Sequence, residues 1–236
     1  MENTIIISVG GSLIFPGDKL DDKFLSHLKK FILRKISQNP KTRFFLVAGG
    51  GTIARHYRDT GKKVVGYGLT NDDLDWLGIH ATRLNAHLLR TIFRRVAHPF
   101  ILKHYEIRQD VVKPVAVAAG WKPGWSTDYC AVLLARQYGA TTVVNLSNIA
   151  QVYDKDPKKC KDAKPISRIS WKDYQQMVGV KWVPGMNAPF DPIAAREARK
   201  RRIQTIVLKG AIGKIWKGIS KEKSLSERLF LKNHSA

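Results

Sequence analysis

Residues 4–51 read TIIISVGGSLIFPGDKLDDKFLSHLKKFILRKISQNPKTRFFLVAGGG, and the alternation inside this stretch decides the fold. Thr4 to Val9 is a short apolar run closed by Gly10 and Gly11, the mark of a buried strand. Asp21 to Ile36 then repeats Phe24, Leu28, Phe31 and Ile32 at helical spacing, and Arg43 to Ala48 is a second apolar run closed by Gly49, Gly50 and Gly51. Strand, helix and strand in that order make a β-α-β unit. Right-handed crossovers then place both glycine turns along one edge of a parallel sheet, the edge at which such sheets bind ligands.

Working outward, strands are expected at Val111 to Ala118, Thr141 to Leu146 and Ile203 to Leu208. They alternate with helices at Asp73 to Val96, Thr127 to Tyr138 and Pro192 to Arg201. The expected fold class is therefore α/β, with an open, mainly parallel sheet sandwiched between helices. Between Asn148 and Arg168 the sequence turns polar, and Asp154, Asp156, Pro157 and Pro165 mark a long functional loop rather than a linker. Basic and polar residues dominate from Lys214 onward, and no internal repeat is visible.

The chain has 236 residues, 44% of them hydrophobic, enough to bury a core as a single domain over 1–236. The start, Met1-Glu2-Asn3-Thr4, has no basic leader, and Ser8, Gly10, Gly11 and Ser12 interrupt the first apolar stretch, so the reading is cytoplasmic with no membrane span. Cys130 and Cys160 have neither CxxC spacing nor adjacent histidines, which argues against a disulfide framework and a zinc site and leaves no metal ligands to name. Forty-one Lys and Arg against 19 Asp and Glu give a formal charge of +22, a field that gathers nucleotides, polyphosphate or nucleic acid. No nucleic-acid signature accompanies it, so such binding is expected to be non-specific at most.

Two glycine clusters, Gly10-Gly11-Ser12 and Gly49-Gly50-Gly51, each follow a strand, and bare backbone amides there can approach phosphate oxygens. Tight turns alone would also explain either one. A third strand-to-helix turn, Gly120-Trp121-Lys122-Pro123-Gly124-Trp125-Ser126-Thr127-Asp128, adds hydroxyls and a carboxylate. Ser126 or Thr127 as a plain helix cap accounts for the hydroxyls but not for the Gly-Trp-Lys-Pro-Gly turn.

Five blocks in order, AGGGTIARHYRD (48–59), LDWLGIHATRLNAHLL (74–89), PGWSTDYCAVLLA (123–135), SNIAQVYDKDPKKCKDAKPI (147–166) and FDPIAAREARKRRIQTIVL (190–208), resemble the motif series of archaeal-type uridylate kinases in the amino acid kinase superfamily. The resemblance implies the three-layer αβα fold of that family, with an acceptor-binding part over 1–140 and an ATP-binding part over 141–236. It implies transfer of the γ-phosphoryl of ATP, with Mg2+, to UMP. Carried over by motif, Gly49, Gly50, Arg55, Asp75, Gly78, Thr82, Ser126 and Thr127 would face UMP. Gly10, Gly11, Ser12, Asn148, Tyr153, Asp156 and Lys158 would face ATP. Asp128, Lys122 and Gly11 would sit closest to the transfer. Small-molecule nucleotides are the implied partners, with a homo-oligomer, dimer or hexamer, built through the long Asp73 to Val96 helix.

The sequence departs from the superfamily at several points. Ser8 stands where many members have a lysine, and Lys122, Lys209 and Arg55 are candidates to restore that charge. The segment Asn148-Ile149-Ala150-Gln151-Val152-Tyr153 lacks the usual aspartate and glycine. Two other readings follow from these departures: an altered anion-binding oligomer on the same fold, similar to molybdenum storage protein, and a kinase for another acceptor.

Overall fold

The structure, a computed structural model, describes residues 3–148, 152–155, 160–179, 188–210 and 229–232. In chain order the elements are β1 (Asn3–Val9), α1 (Gly11–Ile14), α2 (Asp22–Gln38), β2 (Thr42–Ala48), α3 (Gly51–Val65), α4 (Asn71–Ile92), β3 (Val115–Ala118) and α5 (Thr127–Gln137). There follow β4 (Thr142–Ser147), β5 (Val152–Tyr153), β6 (Pro165–Ile166), β7 (Arg168–Ser170), α6 (Trp171–Val178), α7 (Pro192–Lys200), β8 (Gln204–Lys209) and β9 (Leu229–Lys232).

The main sheet has the order β3-β2-β1-β4-β8-β9-β7. Its first five strands are parallel, and β9 runs antiparallel to β8 and parallel to β7. Strand alternation divides the core into two layers. Ile5, Ile7 and Val9 face Phe24, Leu28, Phe31 and Ile32 of α2 and Ala86 and Leu89 of α4. Ile6 points the other way, into a layer that contains Cys130 and Leu133 of α5, Trp171 of α6 and Ala194 and Ala198 of α7. Helices thus cover both faces of a mainly parallel sheet, as the alternation of elements requires. Because β1 is flanked by β2 on one side and by β4 on the other, the direction of winding reverses beside it. Ligands of open parallel sheets bind at such a reversal.

Most elements fall within two residues of expectation, and the larger differences lie in three places. The strand expected over 111–118 covers only Val115–Ala118, since Pro114 has no amide to give a ladder and contributes its carbonyl to Phe44 N–H instead. The helix expected over 73–96 starts at Asn71, because Thr70 and Asp73 form a reciprocal capping box, and stops at Ile92. Beyond it the chain bends so that Ala97 and Leu102 bridge to Val115 and Ala118 at the open edge of β3. The polar stretch 148–168 contains the β5–β6 hairpin and leads into β7, and α6 follows where no helix was anticipated.

Candidate active site

The site is assembled where β1, β2, β3 and β4 end. Gly11 lies so close to the second glycine turn that a Cβ on it would overlap Gly49, Gly50 and Gly51, so the two turns touch through bare backbone. Gly51 has φ +69°, a conformation that side-chain-bearing residues rarely adopt. Not every amide of these turns is available to a ligand. Gly10 N–H donates to Leu146 O at 2.7 Å and Gly49 N–H to Val9 O at 2.9 Å, which extends the ladder past the strand ends. Gly11 and Ser12 open α1, Gly51 opens α3, and amides in a helix's first turn have no intrahelical acceptor.

Helices α3 and α4 form a hairpin whose facing sides wall a cavity of about 530 Å3. From α3 the wall takes residues 51, 54, 55 and 58, and from α4 residues 75, 78, 79 and 82, the same one-face helical spacing on each. The turn from Gly120 to Thr127 closes the third side, and Ser12 and Asn148 reach in from the ends of β1 and β4.

Buried and half-buried hydrogen bonds hold these walls together. Asn85 Nδ2 donates to Gly49 O at 2.8 Å and Gly50 O at 3.3 Å, tying α4 to the second glycine turn. Thr82 Oγ1 accepts from Gly120 N–H at 2.8 Å and donates to Ile79 O at 2.6 Å, so its hydroxyl is committed to the framework although the residue lines the cavity. Arg83 Nη2 donates to Trp121 O at 3.0 Å, and Asp75 Oδ2 accepts from Gly124 N–H at 2.7 Å. Burial raises the Asp75 carboxyl above the ordinary range, against the Gly124 amide and the Arg58 charge.

Beneath the Ser126–Thr127 turn lie two carboxylates. Ser8 Oγ donates to Asp128 Oδ1 at 3.0 Å, and Asp191 N–H approaches Asp128 Oδ2 at 3.4 Å. Asp191 caps α7 through Oδ1, which accepts from Ile193 and Ala194 N–H, while the buried Oδ2 has no partner within hydrogen-bond geometry; burial raises the Asp191 carboxyl above the ordinary range, against the nearby Ser126 hydroxyl and the α7 amides. Although Asp128 as a residue keeps some surface, its carboxyl is packed in by neighbours. Burial, and then the Asp191 carboxylate, push it up to about 7 against the Ser8 hydrogen bond.

Of the residues expected at a nucleotide site, Ser12, Gly50, Arg55, Asp75, Gly78, Thr82, Ser126, Thr127 and Asn148 line this one cavity. Gly10, Gly11 and Gly49 form the turns beneath it, and Asp128 lies below its rim. Lys122 does not line it: the ammonium pairs with Glu106 at 3.2 Å and sits over the rings of Trp121 and Trp125. Tyr153 is placed in the β5–β6 hairpin, opposite Pro165, away from the cavity wall. Asp156, Lys158, Ala150 and the segment 180–187 lie outside the described residues.

The cavity adds Gly51, Ala54, Arg58, Ile79, Gly120 and Trp125. Ala54 and Arg58 stand three and seven residues beyond Gly51, so the helical repeat carried their signal once α3 was known to face the cleft. A larger cavity, about 910 Å3, opens beyond Ser12 and Asn148, between α2 and the end of β8, and Lys209 lines it. Lys209 therefore stands on the β8 side of the sheet edge, opposite Arg55.

A model of the amino acid kinase family matches residues 3–209. The chain belongs to the amino acid kinase family. Among curated members it is similar to the uridylate kinase of Thermococcus sibiricus, 33% identical over 208 residues that cover 86% of this chain and 89% of the relative. The uridylate kinase of Methanosarcina barkeri is 34% identical over 208 residues, covering 86% and 85%. The crystal structure of uridylate kinase from Archaeoglobus fulgidus superimposes with a TM-score of 0.77 at 28% identity, covering 96% of this chain and 99% of that one. UMP kinase from Ureaplasma parvum, 19% identical with a TM-score of 0.73, shares the fold.

Proposed function

We propose that this protein transfers the γ-phosphoryl group of ATP to UMP. The observation that carries the reading is the contact of the β1 and β2 glycine turns at the floor of a cleft that also collects Arg55, Ser126 and Thr127, in a chain whose similar relatives are uridylate kinases. Phosphoryl transfer asks for in-line positioning and charge neutralisation more than for covalent help. The Gly50–Gly51 turn, the Arg55 guanidinium and the Ser126–Thr127 hydroxyls supply donors for the acceptor phosphate. The α1 start at Gly11 and Ser12, with Asn148 and Lys209, faces the donor from the other side. Asp128 and Asp191, bound to Ser8 and to the α7 amides, hold the strand ends and the Ser126 turn in register beneath the transfer point.

Magnesium enters this reaction as part of the Mg–ATP substrate, taking phosphate and water oxygens as ligands. Among the described residues no group of three or more His, Cys, Asp or Glu side chains is placed to hold a metal by itself. Also among the described residues, no helix is long and apolar enough to cross a membrane. Tyr57, Val64, Tyr67, Trp76 and Leu84 are exposed along the α3–α4 hairpin, which supports a homo-oligomer formed through that face.

The test is ADP release with Mg–ATP and UMP, CMP, dTMP or small carboxylates as acceptors. UMP should give the largest kcat/KM. Background rates with every acceptor, alongside intact thermal unfolding, would remove the kinase reading and leave an anion-binding role.

A further inference from the structure

The acceptor cleft contains a cation that the phosphate does not account for. Arg55 and Arg58 lie about one helical turn apart on α3 and both line the cavity, at different distances along the helix from the Gly50–Gly51 turn. Gly51 to Arg58 spans seven residues, about 10 Å along a helix axis, comparable to a nucleoside monophosphate from phosphorus to the far edge of its base. With the phosphate at Gly50, Gly51 and Arg55, Arg58 faces the nucleoside end together with Asp75 and Trp125, across the hairpin and the 120–127 turn.

Arg58 is poorly partnered there. Its Nε donates to Ala54 O at 3.2 Å, and among the described residues neither Nη makes a hydrogen bond or ion pair. Asp75 attracts it electrostatically, yet the Asp75 oxygen with a short bond is held by Gly124 N–H. Arg58 is half-buried, and among the described residues its Nη donors have no protein acceptor. A group with donors only and no lone pair calls for an acceptor atom on the ligand.

The two ends of a nucleoside offer different partners. Ribose hydroxyls donate as well as accept, and the carboxylate of Asp75 suits them. A base carbonyl only accepts, and it suits Arg58. Uracil presents O4 where cytosine presents an amino group, so a donor-only cation at that edge gains a hydrogen bond with the first and meets an opposing donor with the second.

We infer that Arg58 is a specificity-determining residue: its guanidinium donates to a carbonyl oxygen of the acceptor base and selects uracil over cytosine. The inference rests on the acceptor end assigned under the proposed function, and calorimetric binding separates the two, because it needs no turnover. UMP and CMP are titrated into the wild-type protein, Arg58→Ala and Arg58→Lys, with a non-hydrolysable ATP analogue as the control for an intact donor site. Arg58→Ala should weaken UMP about tenfold or more, the scale of one charge-assisted hydrogen bond, and change CMP less than about threefold. Arg58→Lys should restore part of the UMP preference. In turnover, the loss should fall mainly on KM for UMP. Equal weakening of UMP and CMP, unchanged affinity for both, or a wild type without preference between them would overturn the inference. An Arg58-dependent UMP preference in a protein that releases no ADP would uphold it and remove the kinase reading instead.

Discussion

Gly11 shows how little room a single position has. A methyl group there meets backbone of the second glycine turn rather than a flexible side-chain end, so neither turn can yield without parting the strand ends. Gly11→Ala should cost about 1–3 kcal/mol of stability, the usual range for overpacking, and lower turnover by about 100-fold or more as the two glycine turns separate. Urea melts and steady-state kinetics on the same sample check both. Asp128 makes a different kind of statement. Its folded carboxyl holds a proton up to about 7, above the unfolded value, so the stability it supports is complete below the ordinary carboxyl range and is lost as pH rises through about 7. The difference in Tm between wild type and Asp128→Asn should therefore move in favour of the variant between pH 4 and pH 8, and a difference independent of pH would show that the pair does not titrate. The glycine turns were legible because glycines directly after apolar runs say both where a strand stops and what can approach it. Arg58 and Asp191 were not, since their meaning depends on which face of α3 meets the cleft and on a neighbour 63 residues from Asp128.

Among the elements, α6 has the least visible signal and a large structural consequence. Trp171 and Tyr174 are its two buried residues, and eight residues are too few for a periodic pattern to stand out from a loop. Tyr174 nevertheless clamps the segment leading to Asp191: its hydroxyl donates to Phe190 O at 2.6 Å and accepts from Phe190 N–H at 2.7 Å. Tyr174→Phe strands two buried backbone groups and should destabilise the protein by roughly 1–3 kcal/mol. At this chain length that corresponds to a Tm lower by several degrees. The same variant should also lose activity, because Asp191 follows directly; full activity in a destabilised protein would disconnect the clamp from the site. The start of α4 was readable in Thr70 and Asp73, which carry its cap, although the first apolar contact, Leu74, drew the boundary inward. Its end was not readable. Pairing of Ala97 and Leu102 with β3 is a long-range event, and no local propensity records it.

At the scale of the whole molecule, the parallel sheet and its two helical layers follow from the first 51 residues, since one β-α-β unit fixes the sheet type and the edge that carries the site. The placement of β9 between β8 and β7 does not, because a strand so far along the chain joins by pairing rather than by pattern. The charge of +22 acts on this scale too. The Debye length shrinks from about 10 Å at 0.1 M salt to about 3 Å at 1 M. KM for both nucleotides should rise severalfold over that range while kcat changes less; a flat KM would mean that the field does not gather substrate. The neighbours of β1 have a further consequence, during translation. One edge of this strand meets β2 almost as soon as residues 42–48 leave the ribosome, whereas the other waits for residues 142–147. A nascent chain stalled between those points would carry an apolar strand with open amides at its centre, the kind of surface that chaperones shield and aggregates recruit. The reversal of winding that creates the nucleotide cleft thus also sets the interval in which the growing polypeptide most needs protection.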